Sequence, residues 1–147
     1  MKHRRHEVTT GRIGELFAAG IIEELGWGTA FCQQAGVDLL CWNDGRFYRC
    51  QVKSSTYHNY HAGKLQFHFG LGGNKRLPTP DDYDFVALVS VPQRKAYFLP
   101  ITKVKQLTMS RLHSFFERED LETDSFEKTI RNLDEFYRHS GRPANRA

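Results

Sequence analysis

Long apolar runs, paired cysteines and internal repeats are all missing from this 147-residue chain. No stretch approaches the ~20 apolar residues that a membrane-spanning helix needs, so no association with the bilayer core is expected. Met1-Lys2-His3-Arg4-Arg5-His6 is charged, but the residues after it include neither an apolar signal core nor a small-residue cleavage site, and a cytoplasmic location is expected. The three cysteines, Cys32, Cys41 and Cys50, are odd in number and form no CxxC pair. That pattern argues against a disulfide framework and against a cysteine-based zinc site, leaving reduced, buried thiols. No low-complexity tract or interdomain linker divides the chain. Neither a helix-turn-helix nor a zinc finger is recognisable, so any DNA specificity has to come from the loops of the domain itself.

What remains is a globular composition, 39% hydrophobic and 26% charged, of a length that makes one domain over 1–147. The net charge of +4 is unevenly spread. Residues 1–76 carry 10 Lys/Arg against 6 Asp/Glu, whereas 77–147 carry 11 of each. Clustered positive charge of this kind suits a polyanionic partner.

Thr10 to Leu25 reads as a helix capped by Thr9 or Thr10, with Ile13, Leu16, Phe17, Ile21 and Leu25 as its apolar stripe and Gly26 as its stop. Glu15 falls off that stripe among apolar neighbours, which suggests a packed or cleft position, while Glu23 and Glu24 read as solvated. Two apolar runs, Asp38 to Trp42 and Phe47 to Lys53, flank Asp44-Gly45, a strong hairpin signal. With Asp44-Gly45 as the turn, Trp42 pairs with Phe47, Leu40 with Arg49 and Asp38 with Gln51. Alternation then puts Gln51, Lys53 and Asp38 on one face at the open end of the hairpin.

Further on, Lys64 to Phe69 alternates like a strand between two loops, 56–63 and 70–76, that mix basic, aromatic and glycine residues. Phe85 to Val91 reads as a buried strand, and Ala96 to Ile101 as its return, which Pro100 should end or place at an edge. The rest reads as helical. Asp124 to His139 is its clearest piece, with a capping box at Asp124 and Glu127 and a stripe of Phe126, Ile130, Leu133, Phe136 and Tyr137.

A helical carboxylate, an Asp opening a strand and a Gln-x-Lys on its partner suit a hard divalent cation held against a phosphodiester. Asp38 offers a carboxylate, Gln51 an amide carbonyl, Val52 a backbone carbonyl, and Glu15 an oxygen directly or through water. Lys53 suits orienting water or stabilising the negative charge of a pentacoordinate phosphorus. Mg²⁺ is the expected cofactor, with Mn²⁺ as a substitute.

At these residues, Gly14-Glu15, Gly36-Val37-Asp38-Leu39-Leu40 and Phe47-Tyr48-Arg49-Cys50-Gln51-Val52-Lys53, the chain resembles the PD-(D/E)xK nuclease superfamily. The likeness is greatest to its small branch with a Gln-x-Lys motif, which includes a group I intron homing endonuclease. Tyr83-Asp84-Phe85 and Tyr97-Phe98-Leu99-Pro100 extend it, so that it covers roughly 10 to 105. Val37 stands where the family has proline, and Gln51 where it usually has an acid.

The resemblance implies an α/β fold with a restriction-endonuclease-like α-β-β-β-α-β core, a mixed central sheet flanked by helices, to which the last helix is an addition. It further implies metal-dependent cleavage of double-stranded DNA and assembly into a homodimer or homotetramer. Lys64, Lys75 and Arg76, together with His58 and Tyr60, are the candidate DNA contacts. His58-x-x-His61 lacks further ligands at zinc spacing and reads as the edge of a DNA groove. Two other readings stay open: a structure-selective nuclease akin to a Holliday-junction resolvase, and a non-catalytic DNA binder retaining the fold.

Overall fold

Residues 2–34, 36–56 and 63–141 are described by the computed structural model, with backbone only for 2–8. Helix α1 spans Lys2–Glu24. It starts well before Thr9 and Thr10, which therefore cap nothing; the residues ahead of them include no proline or glycine to break it. Its buried stripe is Gly14, Ala18 and Ile22 at a spacing of four, with Ala19 alongside, and Leu16 is half exposed instead of core. Gly26 stops it as expected, at φ 93°, while the Trp27 N–H reaches back to the Ile22 carbonyl at 3.2 Å.

Strands β1 (Gly28–Phe31), β2 (Leu39–Asn43) and β3 (Arg46–Ser55) form a meander. Asp44 and Gly45 both have positive φ, 51° and 75°, as a tight primed turn requires. The turn fixes Asn43 opposite Arg46, Trp42 opposite Phe47 and Leu40 opposite Arg49, the register expected from sequence. β3 then pairs in parallel with β5 (Phe85–Ser90), and β5 pairs antiparallel with β6 (Lys95–Pro100). The result is a five-stranded mixed sheet in the order β1-β2-β3-β5-β6.

Both helices lie on the sheet face that carries Tyr48, Cys50, Val52 and Ser54. Gly14 of α1 sits against Ser54 and Val52. From α2 (Leu121–Ser140), Tyr137 stacks on Tyr48 and Phe126 meets Phe85 and Phe98 edge-on. α2 also closes the outer side of β6, where Ser125 Oγ accepts the Phe98 N–H at 3.1 Å and Glu122 that of Ala96 at 3.4 Å. The opposite face is covered through Tyr97, which meets Phe115 in the short helical turn His113–Glu117. Cys41 and Cys50 are buried, Cys32 is partly so, and all three are free.

Three expectations need correction. Between β3 and β5 the described residues hold no helix; they hold β4 (Lys64–His68) and turns, because this segment alternates with a period of two and is broken by Gly70, Gly72, Gly73, Pro78 and Pro80. The stretch before α2 is not helical throughout either: β7 (Thr108–Leu112) pairs with β4 as a separate two-stranded ribbon. Finally, α2 begins at Leu121, and Asp124 pairs with Lys128 and Arg118 instead of capping with Glu127. No described helix is long and apolar enough to cross a membrane.

Candidate active site

The paired ladder between β2 and β3 ends at Leu39 opposite Cys50, and Asp38 does not continue it to face Gln51. The Asp38 N–H bonds to the Cys50 carbonyl at 2.9 Å, so Asp38 and Leu39 both sit against Cys50 in the manner of a β-bulge, a device that re-aims a side chain. Its carboxylate turns to the backbone of β3 and accepts the Val52 N–H at 2.7 Å. The acid is thereby seated on the peptide that joins Gln51 to Val52. Asp38 thus reaches this stretch of β3 by a bulge and a side-chain-to-backbone bond instead of plain cross-strand pairing.

Glu15 reaches the same spot from α1 and shares a hydrogen bond with Asp38. Both carboxyls titrate above their ordinary values. For Glu15 the main cause is burial, followed by the Asp38 charge, against which the Arg12 guanidinium works. For Asp38 burial again leads, opposed by the Val52 N–H, the Lys53 ammonium and the hydrogen bond with Glu15. Lys53 titrates below the usual lysine range, chiefly through burial; Asp38 pulls it back up and the charge of Lys75 pushes it down.

Gln51 presents a buried Oε1 with no hydrogen-bond partner. A buried acceptor without a partner, on the strand whose Val52 N–H holds Asp38, offers an amide oxygen in addition to the two carboxylates. Among the described residues no group of three or more His, Cys, Asp or Glu exists that could hold a metal, so here the donors beyond two carboxylates have to be amide and backbone oxygens. Arg12, whose Nη1 lies 3.4 Å from Glu15 Oε2, has its guanidinium 4.4 Å from the centre of the Phe31 ring.

The loop after β4 bears on the site through the charge of Lys75. It is pinned by bridging of Leu71 with Arg76, and Lys75, at φ 52°, lays its stem on Gly70 while its charge bears on Lys53. Arg76 is engaged elsewhere, in a two-bond ion pair with Asp82 at 2.9 and 2.8 Å. Lys64 is exposed at the start of β4. His58 and Tyr60 lie outside the described residues.

Gly14 sets the approach of α1, and sequence reading gave it no role of its own. A Cβ there would stand 1.7 Å from Ser54 Oγ and 3.0 Å from Ser54 Cβ. Its signal was available, since a mid-helix glycine sacrifices about 1 kcal/mol against alanine and usually has a packing reason. Gly14→Ala is expected to lower stability by about 1–3 kcal/mol by overpacking. In a Ser54→Gly background the same change should raise stability instead, as alanine does in an open helix. Urea denaturation of the four proteins measures this; additive effects would mean that helix and strand do not touch there.

Also unforeseen was the anchor beneath the hairpin. Asp84, fully buried, accepts the Arg49 N–H at 2.7 Å, the Arg49 guanidinium at 3.2 Å, and the Tyr137 hydroxyl. Tyr48 and Arg46 are held in the same way by Asp134 of α2.

No family model and no curated protein matches the chain. Among solved structures it is similar to a bacterial homing endonuclease, with a TM-score of 0.63 at 16% identity over 76% of this chain and 81% of that one. The chain thus has a nuclease-like mixed α/β fold.

Proposed function

We propose that this protein is a metal-dependent endodeoxyribonuclease of the PD-(D/E)xK type, in the Gln-x-Lys form. The observation that carries the reading is the meeting of Glu15 and Asp38 within electrostatic reach of Lys53, on the strand that also holds the partnerless Gln51 carbonyl. A hard divalent cation, Mg²⁺ or Mn²⁺, fits this oxygen set, with Asp38 and Gln51 as ligands and Glu15 in support. The Val52 carbonyl is a further candidate. In an extended strand it points the same way as its N–H, which is given to Asp38 beyond the end of β2. When bound, such a cation supplies Lewis acidity toward a phosphoryl oxygen and a water of lowered pKa. Lys53 contributes a partly desolvated ammonium that donates to the phosphate oxygen as it gains charge. Lys75 and Lys64 hold flanking phosphates, and Arg76 shapes the turn that presents Lys75. Cutting both strands calls for two copies of the chain, as a homodimer or homotetramer.

Wild type incubated with supercoiled plasmid or branched DNA and Mg²⁺ or Mn²⁺ is expected to cut, and Asp38→Asn is not. Binding of DNA without cutting in any metal would leave the non-catalytic reading. A metal readout runs alongside. Both carboxyls have raised folded-state values, so their ionised forms cost stability at neutral pH, and that cost disappears as pH falls through those values. Metal-free Glu15→Gln should therefore melt no lower than wild type at pH 7 while losing the Mn²⁺-induced rise in Tm. An undiminished rise in that variant would remove Glu15 from the site.

A further inference from the structure

The ribbon of β4 and β7 stands apart from the main sheet, and its two faces differ sharply. Leu65 and Phe67 point inward, 1% exposed each, with Phe67 against the ring of Phe116. The outer face is set by the register: Lys64 opposite Leu112, Gln66 opposite Ser110, His68 opposite Thr108. Lys64, Gln66 and His68 are exposed, and Thr108 Oγ1 lies 3.3 Å from His68 Nδ1. Charge completes the pattern. No Asp or Glu occurs between Asp44 and Asp81, nor between Asp84 and Glu117, so both strands and their flanks carry cations and no carboxylate. β4 packs beside β3, the strand of Gln51 and Lys53, and leads into the turn of Lys75.

Resting on the nuclease reading, we infer that this ribbon is the sequence-reading element, entering the DNA major groove with Gln66, His68, Thr108 and Ser110 toward the base edges. A major groove about 12 Å wide admits a two-stranded ribbon, and every base pair shows a distinct donor and acceptor pattern there. Gln66 supplies both a carbonyl and an amide N–H, the pairing that adenine takes; His68, Thr108 and Ser110 add short-range donors and acceptors. Lys64, at the strand end, contacts phosphate and fixes the register without reading sequence. Both helices are engaged with the main sheet instead, α1 through Gly14 on Ser54 and Val52 and α2 through Tyr137 on Tyr48.

The test is selection of bound duplexes from a randomised pool, using the full chain with Lys53→Ala to prevent cutting. A consensus is expected. Gln66→Ala with His68→Ala should flatten it at two or more positions, cutting the preference there about 10-fold while binding to non-specific duplex changes less than about 3-fold. Gln66→Arg should move one adenine position toward guanine. Thermal melting of each variant confirms that these exposed changes leave the fold intact. A consensus untouched by all three changes, or an equal loss of affinity for every sequence, overturns the inference. A wild type that binds and cuts duplex DNA with no consensus also overturns it and leaves the nuclease reading standing. A chain that neither binds nor cuts DNA removes that reading itself.

Discussion

Lys53→Ala should cut DNA at least 10²-fold more slowly than wild type, on the scale of removing one preorganised donor to developing negative charge, while duplex affinity stays within a few-fold. The fold should survive. Because burial holds the Lys53 ammonium below its ordinary value, the charged form is disfavoured in the folded state, and an apolar replacement gives up little stability near neutral pH. Lys53→Arg should not restore the rate, since a planar fork does not replace a compact ammonium.

The pH profile offers a sharper check. Activity falls as Lys53 deprotonates, at lower pH than an ordinary lysine. Lys75→Ala removes one of the influences pushing Lys53 down, so the alkaline limb should move upward. An alkaline limb unmoved by that change, with Lys53→Ala as active as wild type, would place the reacting phosphate elsewhere.

Asp84→Ala should be the most damaging single change to the fold, costing about 3–5 kcal/mol by leaving a partly buried guanidinium without its counter-charge. Three groups lose their acceptor at once: the Arg49 N–H, the Arg49 guanidinium and the Tyr137 hydroxyl. A drop in Tm on the order of 10 °C is expected for a chain of this size. Asp82→Ala serves as the contrast. It breaks an ion pair whose arginine is largely exposed, and such pairs contribute under about 1 kcal/mol. Equal effects of the two substitutions in urea denaturation would show that burial of the Arg49 pair is immaterial. Replacing Arg49 and Asp84 together by Met and Leu should recover much of the loss.

The parts of the fold legible in the sequence were those governed by neighbours. Asp44-Gly45 dictates a turn, the turn dictates the register from Asn43 to Leu39, and no distant residue has a say. Gly26 and the stripe of α2 from Phe126 to Tyr137 are equally local. β7 was hidden because Thr108–Leu112 becomes a strand only through pairing with β4, some forty residues away, and Gly28–Phe31 is too short to show alternation. At the site, the residue types were legible and their arrangement only in part. The hairpin brings Asp38 to the strand of Gln51 and Lys53, but the bulge that aims Asp38 at the Val52 N–H leaves no mark in composition or spacing. The mid-helix Gly14 signals a close approach, but its partner Ser54 was not readable, since that depends on how the helix docks.

The two rims of the main sheet bear on how copies of this chain can associate. Along β6 the outward N–H groups of Ala96 and Phe98 are already taken by Glu122 and Ser125, and Pro100 has none to offer. Along β1 only four residues are available, and the Phe31 ring at its end lies under a guanidinium. Short, charged or occupied margins deny a neighbouring molecule a template for strand addition, which guards against aggregation. Edge-to-edge pairing of copies through the β6 rim of the main sheet is therefore blocked.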